Sequence, residues 1–203
     1  MPLHLDALPF ALDAAGPDGR WTYADGVLTG RAGPGQDLFV PPSGDSLAPA
    51  SDAPRLLGAV GEGDFRLLAR VRPGLVSAGD AGALYLDVGD QEWAKLCLEH
   101  SADLPTVCTV VTRGHSDDAN AFVVEEGVCW LRLSRTGNAY AFHASADGET
   151  WTFVRVFTLG TEKERAAARI GFLVQSPTGD GCGAVFDRIA FLPGGVANLR
   201  DGR

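Results

Sequence analysis

Basic residues are in deficit in this chain, with 17 Lys and Arg against 26 Asp and Glu and a formal net charge of −9. Nucleic-acid binding draws on Lys and Arg to neutralise phosphates, so the balance argues against nucleic acid as a partner. It argues equally against docking on anionic lipid. No stretch approaches the ~20 apolar residues of a membrane span. The opening MPLHLDALPFALDAAG lacks a basic segment, and Asp6 and Pro9 interrupt its apolar residues, so it does not read as a secretory signal. The cysteines Cys97, Cys108, Cys129 and Cys182 show no CxxC spacing. The reading is a reduced, cytoplasmic protein with small buried thiols. His4, His100, His115 and His143 have no metal-ligand spacing, and HExxH, G-x-S-x-G, P-loop and GxGxxG motifs are all missing. Neither a metal nor a cofactor is expected.

What remains is a series of short alternating runs. The spacing predicts strands at 20–23, 26–30, 65–72, 82–88, 92–100, 106–112, 121–125, 128–135, 138–145, 151–158, 168–175 and 183–191. Turn signals separate them, among them Asp25-Gly26, Gly89-Asp90, Gly137-Asn138 and Asp147-Gly148. A short helix is expected over 161–168. Residues 31–63, rich in Gly, Pro, Ser and Asp, read as a long irregular loop with a brief strand at Leu38–Val40. The tail 193–203 reads as frayed. A dozen strands with regular turns fit an all-β, two-sheet antiparallel sandwich better than one small barrel. One domain over 1–203, with its core at about 8–192, accommodates them.

The run AGALYLDVGDQEWAKLCLE at 81–99 carries the clearest functional pattern. Residues two apart on a strand share a face. Ala94, Leu96 and Leu98 therefore form one face, and Trp93, Lys95, Cys97 and Glu99 the other. An aromatic plane flanked by an ammonium and a carboxylate suits a sugar ring and its hydroxyls; the same Lys–Glu row also suits an ordinary solvated sheet surface. Tyr85 and Asp87 alternate onto the same wall. The quartet His115-Ser116-Asp117-Asp118 is expected in a loop, as a site or as a turn. In CWLRLSR, Trp130 and Arg132 extend the Trp93 face if the two strands are neighbours, Arg132 then pairing with Glu99 or clamping an acidic ligand. Gln175 leaves its strand towards the same groove. A hydrolase would need Glu99 opposed to Asp117 or Asp87, 5–9.5 Å apart. The run Ser145–Trp151 is similar to an aspartate-box turn lacking one residue; it reads as a hairpin tied by Asp147, with Trp151 packed down.

The order of the W-x-K-x-x-x-E strand, the VT…SDD segment and the GFLVQSP strand resembles a family of concanavalin A-like domains, catalogued chiefly as a domain of unknown function. The resemblance covers about residues 8–192. That family includes a fungal protein named as a regulator of enolase. The resemblance implies a jelly-roll sandwich of the lectin and glucanase type, whose concave sheet often binds sugars, and it implies no established reaction. The E-x-D-x-x-E strand of related sugar-cleaving enzymes is absent here, as is the calcium loop of lectins. The expected function is a carbohydrate or small polar ligand module; a regulator working through a protein partner and a glycan hydrolase or lyase are the alternatives.

Overall fold

The computed structural model describes residues 1–44, 52–89 and 91–203. Asp90 of the expected Gly89-Asp90 turn, and 45–51 of the expected long loop, lie outside the described residues. Among the described residues, fourteen strands and one short helix follow in chain order: β1 Asp13–Ala15, β2 Arg20–Ala24, β3 Val27–Ala32, β4 Arg55–Ala59, β5 Phe65–Pro73, β6 Ala81–Gly89 and β7 Glu92–Ser101. Then come β8 Leu104–Arg113, β9 His115–Val123, β10 Cys129–Thr136, β11 Ala139–Ser145, β12 Thr152–Phe157, α1 Glu162–Ala166, β13 Arg169–Gln175 and β14 Cys182–Pro193. The strands form two seven-stranded antiparallel sheets, β1-β4-β13-β6-β7-β8-β9 and β12-β11-β10-β5-β14-β3-β2. This is the sandwich the alternation predicts.

The core lies between the sheets. Along β5, Phe65, Leu67, Ala69 and Val71 point inward while Arg66, Leu68, Arg70 and Arg72 point out. Ala94, Leu96 and Leu98 of β7 join the same core. Asp25 and Gly26, at φ 52° and 77°, make the expected two-residue hairpin between β2 and β3. Thr161 caps α1 by accepting from the Glu164 amide, and the Glu164 carboxylate returns to Thr161 N.

Four expectations are corrected. His115–Asp118 begins an edge strand, β9, and not a loop; paired on one side only, such a strand tolerates polar residues. The 31–63 stretch contains β4, which is paired on both sides, by β1 and β13. Leu38–Val40 forms no ladder; the nearby bridge joins Gln36 to Ser176. The tail does not fray: Val196 and Gly202 are buried, and Asn198 N donates to Arg203 O over 2.7 Å.

Candidate functional site

The register of the first sheet decides which side chains meet. Lys95 lies opposite Tyr85 on β6 and Val110 on β8, and Val110 lies opposite Asp118 on β9. Cys97 opposes Ala83 and Cys108, and Cys108 opposes Asn120. Glu99 opposes Ala81, which in turn opposes Gln175 on β13. Trp93 opposes Asp87 and Thr112, and Thr112 opposes Ser116. Directly opposed residues share a face. Tyr85, Asp87, Trp93, Lys95, Glu99, Ser116 and Gln175 are therefore gathered on the outer face of one sheet, together with Asp118 and Asn120.

That face is not an open row. Residues 36–40 cross it as a strap. Ser176 N donates to Gln36 O over 2.7 Å, Ser116 N to Val40 O over 2.8 Å, and Val40 N to Ser116 Oγ over 2.9 Å. Between these anchors, Leu38 and Phe39 pack on an apolar cluster that includes Leu57, Tyr85, Trp93 and Leu173. The Tyr85 and Trp93 rings lie 5.9 Å apart. Trp93 keeps 5% of its surface and Lys95 only 1%. The buried Lys95 Nζ donates to Gln175 Oε1 at 2.6 Å and pairs with Asp37 Oδ1 at 3.3 Å. Gln175 Nε2 donates to Gly79 O at 2.9 Å and makes a long contact of 3.5 Å to Glu99 Oε2. An ammonium so deeply placed needs such partners, because an unpaired buried charge costs several kcal/mol.

Beyond the strap the face is more open. Glu99 is partly exposed, and Asp118 and Asn120 are exposed. Burial pushes the Glu99 carboxyl up to about 7, against the pull of Lys95, with Asp118 and Asp37 adding repulsion. Asp118 is raised too, chiefly by burial. The Cys97 and Cys108 thiols are raised by burial, and Cys108 Sγ donates to Asn120 Oδ1 at 3.0 Å. All four cysteines are free and buried.

Other expected residues go elsewhere. Asp117 and His115 alternate away from Ser116 and Asp118; Asp117 pairs at 3.0 Å with Arg155 of β12, in the other sheet. Asp87 is tied to Arg169. Neither Asp87 nor Asp117 is thus a free carboxylate opposed to Glu99. Trp130 and Arg132 sit in the second sheet, because β10 pairs with β5 and β11 and not with β7. Arg132 donates to Gly202 O at 2.8 Å and lies 4.1 Å from the centre of the Trp151 ring, far from any pairing with Glu99. Sequence reasoning missed Asp37, which reaches Lys95 across 58 positions, and Asn120, whose strand has little apolar alternation. Among the described residues no three His, Cys, Asp or Glu side chains are grouped to hold a metal, and no helix is long and apolar enough to cross a membrane.

A model of the family described as "Protein of unknown function (DUF1349)" matches residues 16–193. No curated protein matches the chain. Among solved structures, the chain is similar to a functionally unknown protein from Saccharomyces cerevisiae, with 19% identity, TM-score 0.75, and coverage of 90% of this chain and 96% of that one. It is similar to the carbohydrate binding module CBM66 from Bacillus subtilis, with 14% identity, TM-score 0.53, and coverage of 88% and 94%. It is also similar to the xyloglucan-locus GH43B protein of Bacteroides ovatus, with 15% identity, TM-score 0.66 and coverage of 85% of this chain, which spans 34% of that one. At these identities the likeness is one of fold.

Proposed function

The chain belongs to the DUF1349 family, and from that membership and the geometry of the first sheet we propose that it is a carbohydrate-binding module. The ligand rests on the outer face, at the margin the strap leaves open. The observation that carries this reading is the Glu99, Asp118 and Asn120 cluster beside the buried Lys95–Gln175 pair. Sugar hydroxyls are donors and acceptors at once. Two carboxylates and an amide supply both partners, and Gln175, anchored by Lys95 and Gly79 O, reaches Glu99 at 3.5 Å. Tyr85 and Trp93 are sealed beneath Leu38 and Phe39 and so offer the ligand no stacking surface. The CBM66 neighbour, covered over 94% of its length, supports the ligand class.

Regulation by protein contact, as the enolase-linked resemblance implies, would need a broad exposed apolar patch. Among the described residues Leu104 and Val123 are neighbours on the paired strands β8 and β9, but the other exposed large apolar side chains, such as Val76 and Leu192, belong to separate segments. The test is a thermal-shift series with xylo-oligosaccharides, neutral monosaccharides and sugar acids. A ligand at 100 times its Kd adds about 2.7 kcal/mol of stability. The shift is expected in the native chain and persists in Trp151→Ala; in the Trp151→Ala background, adding Glu99→Gln or Asn120→Ala abolishes it. No shift from any sugar on the folded protein would overturn the reading and turn the search to protein partners.

A further inference from the structure

We propose that the chain carries a second carbohydrate site, on the far side of the sandwich, in the cleft beside Trp151. The cleft holds about 320 Å³ and is lined by Glu149, Thr150, Trp151, Asp201 and Arg203. That volume lies at the small end of the range for small-molecule sites. In contrast to Trp93, Trp151 is only partly buried and borders open space.

The ring is held from behind. The Arg132 guanidinium lies 4.1 Å from its centre and is itself fixed by a 2.8 Å bond to Gly202 O. Arg132 is 4% exposed, its Nε has no partner, and no carboxylate pairs with it among the described residues. Stacking on the indole is thus its main compensation besides that carbonyl. The turn leading into Trp151 is equally fixed. Asp147 Oδ1 accepts from Ser145 Oγ, Glu149 N and Thr150 N, each at 2.8 Å. Gly148, at φ 81°, presses on Trp130, where an added Cβ would come within 2.8 Å of the indole. The opposite wall is the C-terminal turn, held by the Leu199 O contact to His143 Nε2 at 3.0 Å and by Arg200 over Phe153.

A rigid indole bordering a polar cleft has one favoured guest. The axial C–H bonds of a pyranose cover the ring, while its equatorial hydroxyls reach the two carboxylates and the guanidinium on the rim. The ordering has already been done by the protein, which raises affinity for a given contact area. Asp201 is paired with Arg203 at 3.5 Å and accepts from Asn198 Nδ2 at 2.9 Å, which leaves Glu149 as the uncompensated charge of the lining; the ligand is a neutral sugar and not a sugar acid.

The site is independent of the first-sheet reading, and one experiment separates them. The 203-residue chain is titrated by calorimetry with cellohexaose, xylohexaose and glucuronate. Saturable binding of a neutral oligosaccharide is expected to persist when Glu99→Gln and Asn120→Ala together disable the first-sheet site, and in that background it is weakened at least tenfold by Trp151→Ala and several-fold by Asp201→Asn. Trp151→Phe, which keeps a ring over Arg132, is expected to retain most of the affinity and serves if the alanine variant unfolds. In the Glu99→Gln, Asn120→Ala background the proposal is overturned if neither neutral oligosaccharide binds, if glucuronate alone binds, or if Trp151→Ala and Asp201→Asn both leave binding unchanged.

Discussion

Glu99 and His143 are each shielded from water, Glu99 in part, and they give the protein opposite dependences on pH. Burial raises the Glu99 carboxyl from its ordinary 4.5 to about 7. Between those values the folded state holds more protons than the unfolded state, so this residue's contribution falls as pH rises. Burial, with the nearby Arg132 charge, lowers His143 from 6.5 to about 4. There the unfolded state holds more protons, and stability rises with pH across that window. In the native chain the two slopes oppose each other. Glu99→Gln removes one of them. Urea melts should show the variant stabilised above pH 7, on the order of 2 kcal/mol, with no gain at pH 4. An equal difference at both pH values would show that Glu99 is not buried as described. The alternation of β7 placed Glu99 on the correct face in the sequence. How deeply it sits was not legible, because the side chain that reaches it is Gln175, 76 positions later, and no local pattern announces that contact.

The hairpin joining β7 and β8 shows the same mixture at the scale of an element. Ala102 and Asp103 form its two-residue turn at φ 49° and 64°. Glycine takes that conformation freely, whereas a Cβ costs roughly 1–2 kcal/mol there. Ala102→Gly should therefore stabilise the protein by about 1 kcal/mol, after the added freedom of the unfolded chain is counted, seen as a higher denaturation midpoint. A lower midpoint would refute the strain. The strap gives the converse prediction. Ser116→Ala removes the acceptor of Val40 N and a partner of Thr112, at a cost of about 1 kcal/mol. Hydrogen exchange at Val40 should accelerate well beyond that of core amides in β7; uniform protection would mean that the strap is held by its apolar contacts alone. These elements also mark where strand reading worked. Strands β5 to β8 follow apolar alternation and were legible. Strand β4 was hidden among Gly and Pro residues, and it carries Gly58, where an added Cβ would lie 2.4 Å from the Phe10 ring. That glycine serves a crossing segment, not a turn. The first half of β9, His115–Asp118, was read as a loop because its polar residues match an edge, where packing asks little of them, while the strand expected at 121–125 overlaps its end.

At the scale of the molecule, the folding unit is larger than the stretch that defines the family. The family match spans 16–193, yet Leu5, Leu8 and Leu12 retain 2%, 9% and 0% of their surface within the core between the sheets. Leu3 and Leu12 exchange backbone hydrogen bonds of 2.8 and 2.9 Å, folding this segment back on itself. Phe10 stacks edge-on against Phe191 of β14, at 5.3 Å. Burying a leucine side chain is worth about 1.5–3 kcal/mol, so three of them reach the size of a typical domain's whole net stability, about 5–15 kcal/mol. Their apolar character was legible in LHLDALPFAL, but their destination was not, since a segment without strand periodicity gives no register. At the other end, Arg132 and His143 would lose their carbonyl partners with the last turn, leaving buried N–H groups unsatisfied. A fragment limited to residues 16–193 is thus expected to lose cooperative unfolding, with a flat urea transition and exposed apolar surface that binds a hydrophobic dye. Restoring residues 1–15 alone should recover a sigmoidal transition at a lower midpoint than that of the full chain. If the fragment unfolded at the full chain's midpoint, the terminal segments would be passengers, and the leucines at 5, 8 and 12 would contribute far less than their burial requires.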